Sequence, residues 1–405
     1  MQSVSYDLNF DIKNEKLIEK TVTVNNNGYK IIRYDEKFVC DNDENLGKYR
    51  SIILSEPEGR ILCYSPPKSI TYELFKERNT DINSPEIIIN EVIEGTMISL
   101  FWDDRINQWE LATKGAVGAN YWFYRTKYAN IDKSLEQKTF RRMFLDAFRA
   151  SDTQDLNDIA LIHELPRGIP EDRICYNFIL QHPDNPIVLT IDNPVLYLVS
   201  VYGIKSANDR IDYVSPDIYY GWNVWDSFVD LIRFPREDFD RTGDLSKAYC
   251  SPLLNSSLVG LMLTNTKTGD RTCIENEAYK VKKDLRGNNP NLQYQYLCLK
   301  RIEKVEDFLL HFPQYKKIFF RFHRQYEDFI TQLHQAYMSY YIKKEGKPIS
   351  KRFFPMIHKL HHEVYLPSIS KSVNGEKLIM KRCVIKDIVI AMPPIEVIYY
   401  LNYTE

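Results

Sequence analysis

From Tyr29 to about Glu110 the chain is a succession of short runs, YKIIRYD, YRSIIL, GRILCYS, PEIIINEVIEG, MISLFWD and WELATKG, each cut off by Asn, Asp, Gly or Pro. β-Branched and aromatic residues suit a pleated, half-buried surface, and frequent turn formers send the chain straight back on itself, so the stretch predicts an antiparallel β region. A helix should interrupt it over 133–150, KSLEQKTFRRMFLDAFRA, because Phe140, Met143, Phe144, Ala147 and Phe148 return on one face at helical spacing. Strand texture resumes in RICYNFILQ, NPIVLTI and VLYLVSVYGI, and Pro216 to Lys247 reads as mixed. LVGLMLTN and EAYKVKK read as strands ahead of a Gly/Asn/Pro-rich break from Asp284 to Asn291.

After Leu299 the texture changes to long aromatic-rich segments of helical period, VEDFLLHF, KKIFFRFHRQYEDFITQLHQAYMSYYIKK and FFPMIHKLHHEV. The expected architecture is therefore α+β: packed antiparallel sheets with flanking helices over 1–298, then a helical, basic domain over 299–405. Charge divides the same way. From Lys300 onward 18 Lys and Arg stand against 11 Asp and Glu, a net of +7 in a chain whose overall formal charge is −2. With 405 residues there is room for two or three domains, and 44% hydrophobic with 27% charged residues excludes a collagen-like or mostly disordered chain. The near-neutral total also removes the simplest signature of a nucleic-acid binder, so any such surface must be local.

The seven cysteines are scattered singly with no CxxC pair, which fits a reducing, intracellular setting better than a disulfide framework or a zinc site. Met1 to Lys20 lacks the apolar core of a signal peptide, and the longest apolar runs, such as Leu258 to Leu263 and Ile388 to Met392, are far too short to span a bilayer. No membrane span and a cytoplasmic location are expected. Walker, GxGxxG, GxSxG and zincin motifs are absent from the sequence.

The segment Ile87 to Gly115, IIINEVIEGTMISLFWDDRINQWELATKG, resembles the motif I neighbourhood of the covalent nucleotidyltransferases, and of phage-type RNA ligases in particular. Glu94-Gly95-Thr96-Met97-Ile98 matches the second half of the Lys-x-Asp/Glu-Gly motif, and Thr113-Lys114-Gly115 the downstream piece. Upstream, Tyr49-Arg50-Ser51-Ile52-Ile53-Leu54 is similar to the Arg-Gly strand near motif I, with Ser51 where Gly is usual. Downstream, Tyr176 to Val188, YNFILQHPDNPIV, resembles motif III running into Pro-x-Asn, with Pro183 and Asn185 retained, and Leu196-Tyr197-Leu198 follows it. Val259-Gly260-Leu261-Met262 falls where motif IV would, and Lys280-Val281-Lys282 where motif V would.

The departures concern chemistry. In that family the motif I lysine attacks the α-phosphate of ATP or GTP, a task for an amine of lowered pKa. Val92 stands there. The glutamates of motifs III and IV, which help hold ribose and metal-bound phosphates, correspond to Ile179 and Val259, and neither offers a ligand to a hard cation. The resemblance thus implies a pseudoenzyme with no cofactor and no catalytic residue, whose nucleotide-pocket remnants are Glu94, Gly95, Lys114, Asn185, Gly260, Lys280 and Lys282. Joined to a tyrosine-rich composition of the kind AT-rich coding gives, it also implies a viral paralogue, located in a viral factory or virion. The alternative is an active RNA ligase or capping-type enzyme that takes ATP or GTP with magnesium and uses Lys68 or Lys114.

Other residue patterns bear on partners. KKIFFRFHR places Lys316, Lys317, Arg321 and Arg324 along one helix, with Ile318, Phe319 and Phe322 facing inward. With Lys343, Lys344, Lys347, Lys351 and Arg352 they form a candidate phosphate-binding surface for RNA or another nucleic acid. A solvated helix face is the competing reading. His358, His361, His362 and Glu363 have helical metal spacing but read as a polar face, with no metal expected. Trp102, Trp222 and Trp225 read as core rather than base-stacking platforms. A protein partner or self-association, as in a virion scaffold, remains a third reading.

Overall fold

The structure, a computed structural model, describes residues 4–8, 15–40, 44–122, 138–150, 152–169, 172–205, 207–253, 257–370 and 378–403. Among them the short runs close into three sheets. The first pairs β2 (Leu17–Val24), β3 (Asn27–Tyr34), β4 (Ile52–Glu56) and β5 (Ile61–Tyr64) in chain order. The second, of nine strands, runs β1 (Ser5–Tyr6), β13 (Ile211–Val214), β12 (Val195–Lys205), β11 (Asp172–Gln181), β7 (Thr96–Asp103), β8 (Gln108–Thr113) and β9 (Ala116–Val117). Two short strands, β10 (Gly168–Ile169) on β11 and β14 (Ile232–Arg233) on β12, complete it. In the third, β15 (Gly260–Asn265) lies between β16 (Arg271–Glu275) and β6 (Ile87–Glu91). All these pairings are antiparallel except that of β12 with β14.

The two faces of the nine-stranded sheet bury different partners. Ile98, Leu100 and Trp102 of β7 and Ile174, Tyr176, Phe178 and Leu180 of β11 share a core with Phe140, Met143 and Phe144 of the Phe140–Ala147 helix. The expected helix over 133–150 is thus present from Phe140; residues 133–137 lie outside the described residues. The opposite face, through Phe101, Cys175, Tyr202 and Ile204, packs on Ile31, Ile53 and Tyr64 of the four-stranded sheet. Trp102 and Trp225 belong to the first core and Trp222 packs half-buried against it, as core aromatics should.

Two local expectations need correction, and one strand lies ahead of the stretch read as β. NPIVLTI is not a strand: the N–H groups of Ile187, Val188 and Leu189 are taken by the Glu94 carboxylate at 3.0–3.2 Å, so they cannot join a ladder. EAYKVKK is helical, within Glu277–Arg286. The Asn276 side chain accepts the Ala278 N–H at 2.9 Å and Glu277 sits in the first turn, both helix-starting features that outweigh a weak strand pattern. The additional strand is β2, an edge strand none of whose side chains is fully buried.

The described chain divides into two compact units, one ending at Asp284 and the other beginning at Leu285. In the second, Asn291 caps the Leu292–Arg301 helix by accepting the N–H groups of Gln293 and Tyr294. The long Lys316–Tyr337 helix buries Phe319, Phe322, Tyr326, Phe329, Ile330, Leu333 and Tyr337, a stripe of helical period. Phe308 of the Val305–His311 helix stacks on Phe319 with centroids 4.9 Å apart. Among the described residues no helix is long and apolar enough to cross a membrane.

Candidate functional site

A cleft of about 310 Å³ opens between the nine-stranded and three-stranded sheets of the first unit. Its walls carry Met97 of β7, Ile179 of β11 and Val199, Ser200 and Tyr202 of β12, faced by Asn90 of β6 and Met262 and Thr264 of β15. A β-bulge decides which side chains of β12 reach it. Asn177 pairs with Ser200 while Phe178 pairs with Leu198, so Val199 is the extra residue. Before it Leu196 and Leu198 point into the helix-covered core; after it Val201 does, and Ser200 and Tyr202 turn to the cleft.

The chain segment that resembles motif I forms the floor. Val92 lines the cleft and donates its N–H to the Gly260 carbonyl at 2.9 Å, which ties the end of β6 to the start of β15. Gly95 also lines it, with φ +154°, and a Cβ there would sit 2.5 Å from the Leu180 carbonyl oxygen and 2.6 Å from Ile179 Cγ2. Only glycine fits so close a crossing of β11. Gly260 is as crowded, since its Cβ would lie 2.3 Å from the Ile274 carbonyl oxygen. Glu94 is buried and gathers the loop of residues 187–189 through its backbone N–H groups, and the Gln181 amide holds the Glu94 carbonyl at 2.9 Å. Asn185 donates to Thr96 Oγ1 at 3.0 Å. Glu94 and Asn185 are therefore engaged with the protein itself.

Two guanidinium groups give the cleft its charge. Arg50, just ahead of β4, and Arg271, the first residue of β16, both line it. Arg271 donates to the Pro67 carbonyl at 3.3 Å, whereas Arg50 has no hydrogen-bond partner among the described residues. Burial, then the charge of Arg271, pushes the Arg50 pKa below its ordinary value. Burial raises Tyr202 and Tyr213, also on the wall, so both phenols remain protonated donors. The Ser200 hydroxyl is buried, with the residue 3% exposed, and has no partner. Arg271 and Ser200 escape a sequence reading: the first sits in no motif, and the second reaches the cleft only through the bulge.

Other expected site residues lie elsewhere. Val259 is buried directly before β15, where its carbonyl accepts the Asn276 N–H at 2.9 Å. Lys114 bonds Glu36 at 2.5 Å and covers the Tyr34 ring at 4.7 Å, away from the cleft lining. Lys280 and Lys282 ride on the Glu277–Arg286 helix, and neither they nor Lys68 line the cleft. Among the described residues that do line it there is no lysine, and Glu91 is the one carboxylate. That donor set does not fit a magnesium ion, which asks for several oxygen ligands at once. Among the described residues no group of three His, Cys, Asp or Glu is placed to hold a metal.

In the second unit Lys316, Lys317, Arg321 and Arg324 are all exposed on one helix, with Phe319 and Phe322 buried beneath and Ile318 half-buried. Arg352 instead donates to the carbonyls of Tyr400 and Leu401 at 2.6 and 3.3 Å, capping the end of the Pro394–Leu401 helix. The histidines find aromatic company: His361 stacks on Tyr341 at 3.7 Å, and the rings of His358 and His362 lie 4.1 Å apart.

No protein-family model and no curated protein matches the chain. Among solved structures it is similar to a Naegleria gruberi RNA ligase mutant determined with ATP and Mn, at 12% identity and a TM-score of 0.35, covering 67% of this chain and 79% of that one. A second N. gruberi RNA ligase mutant, in its apo form, gives 11% identity, a TM-score of 0.32 and coverage of 67% and 81%. At this identity and TM-score the alignments assign neither an activity nor a ligand.

Proposed function

We propose that the first unit is a degenerate nucleotidyltransferase-like domain of the RNA-ligase type, and that the protein is a pseudoenzyme working as an RNA-binding or structural component. The reading takes its family from the ordered motif resemblance between Arg50 and Lys282. The observation that carries the loss of activity is the cleft lining, with Val92 and Ile179 on its walls and no lysine among the described residues there. Without an amine facing the cleft, attack on an α-phosphate has no nucleophile. The retained Gly95 and Gly260 are explained by backbone crowding, which a binding or structural role needs as much as catalysis does. The exposed row of Lys316, Lys317, Arg321 and Arg324 supports RNA as the partner.

The test is incubation of the purified protein with α-labelled ATP, and separately GTP, in magnesium or manganese, followed by a denaturing gel. No covalently labelled band is expected. A labelled band would overturn the reading, and mapping it to Lys68 or Lys114 would identify the replacement nucleophile.

A further inference from the structure

We propose that a groove in the second unit, beside the basic face of the Lys316–Tyr337 helix, holds an unpaired base of single-stranded RNA stacked on Phe320, while Lys316, Lys317 and Arg324 take the neighbouring phosphates. The groove, of about 620 Å³, is lined by residues of the Leu292–Arg301, Val305–His311 and Lys316–Tyr337 helices. The buried rings of Tyr296 and Phe319 form its floor, Val305 and Leu309 one wall, and Phe320 and His323 its edge. His323 Nδ1 lies 3.2 Å from the Tyr296 hydroxyl, a hydrogen bond that fixes the edge to the floor. Phe319, Phe322 and Phe329 of the long helix are buried, whereas Phe320 is 62% exposed. A single exposed apolar ring is ordinary, but the place of this one gives it a use. At about 3.6 residues per turn, Phe320 falls between Lys316 on one side and Lys317 and Arg324 on the other. Among the described residues those three cations enter no salt bridge, so their charge is left for a partner.

An exposed ring set among uncompensated cations meets both needs of single-strand binding, a π-face for a base and a positive track for the backbone. The rest of the lining sets the direction of the strand. Glu303 and Glu306 stand on the side of the Val305–His311 helix. A carboxylate repels phosphate and accepts from the amino and ring N–H groups of a base edge, so the backbone lies along the Lys316–Tyr337 helix and the base edge points across the groove. A duplex does not fit this arrangement, because its bases are stacked on one another and their edges are paired. The inference rests on the reading of RNA as the partner and adds the state of the strand and the residue that grips it.

Fluorescence anisotropy of the full chain with a short unstructured RNA, alone and annealed to its complement, tests it. The single strand should bind more tightly than the duplex. Phe320→Ala, which removes an exposed ring and so melts like the wild type, should weaken the single strand about tenfold and leave the duplex unchanged. The slope of log affinity against log salt should stay the same in that variant, since a stacked ring releases no counterions. Phe320→Trp, which keeps a π-face, should bind the single strand at least as tightly as the wild type. Unchanged single-strand affinity in Phe320→Ala, or a duplex bound as tightly as the single strand, would overturn the stacking and leave RNA as the partner. If the alanine variant kept its RNA affinity and lost a self-association shown by the wild type, the ring would belong to a contact between copies and the inference would fall. A wild-type chain that binds neither RNA would overturn the RNA reading and the stacking together.

Discussion

Single residues fix the corner where the sheets meet. Glu94 stands in the stretch that resembles motif I, and its carboxylate is taken up by three backbone N–H groups of residues 187–189. Bonds to an ionised acceptor in a buried site are worth more than neutral ones. Glu94→Gln should therefore lower stability by about 2 kcal/mol, read from the urea midpoint. Asp103 makes a comparable knot. Burial works against its ionised form, but Arg105, through Nε at 3.0 Å and Nη2 at 2.8 Å, and the Tyr29 hydroxyl at 2.9 Å outweigh it and hold the pKa below the usual 3.8. A folded-state pKa that is depressed contributes stability above the unfolded value and loses it as pH falls through the folded one. Stability should thus fall as the pH is taken below the ordinary aspartate range of about 4, and Asp103→Asn should lack that part of the drop in urea titrations.

At the scale of elements, β12 shows why a site can hide from periodicity. Strict alternation would assign Leu196, Leu198 and Ser200 to one face, but the bulge at Val199 places the two leucines in the core and the serine in the cleft. Deleting Val199 should close the bulge into a regular ladder in which Ser200 directly follows Leu198 and keeps the cleft face while Val201 keeps the core, so the variant should fold with a stability loss of no more than about 3 kcal/mol; a deletion variant that does not fold would contradict this register. The NPIVLTI segment makes the same point from the other side. Its β-branched residues favour a strand, and the acceptor for its N–H groups turned out to be a side chain 94 positions away, Glu94 to Val188, instead of a neighbouring strand. The EAYKVKK segment followed its capping residues rather than its apolar spacing.

Across the whole molecule charge is uneven: the residues from Lys300 onward carry +7 against −2 overall. The exposed Lys316, Lys317, Arg321 and Arg324 concentrate part of that excess on one helix. If this helix meets RNA, affinity must fall steeply with salt as counterions are released. Lys316→Glu, Arg321→Glu and Arg324→Glu combined should weaken binding and flatten the slope of log affinity against log salt by about 2, measured by fluorescence anisotropy on single-stranded RNA. An unchanged slope would move the interface off this helix.

The sequence by itself determined the class of the fold, because the 2-residue period of the early runs and the 3.6-residue period after Leu299 are properties of the local chain and each is compatible with one kind of element. It also singled out Val92 and Ile179, which line the cleft, together with Val259, which does not. What tertiary structure decided was which polar groups became partners. Glu94 found the backbone of residues 187–189, and Arg271 reached the same cleft as Arg50 from a distant strand. Such pairings depend on distances closed by folding, between residues far apart in the chain, and nothing in local composition or spacing encodes them.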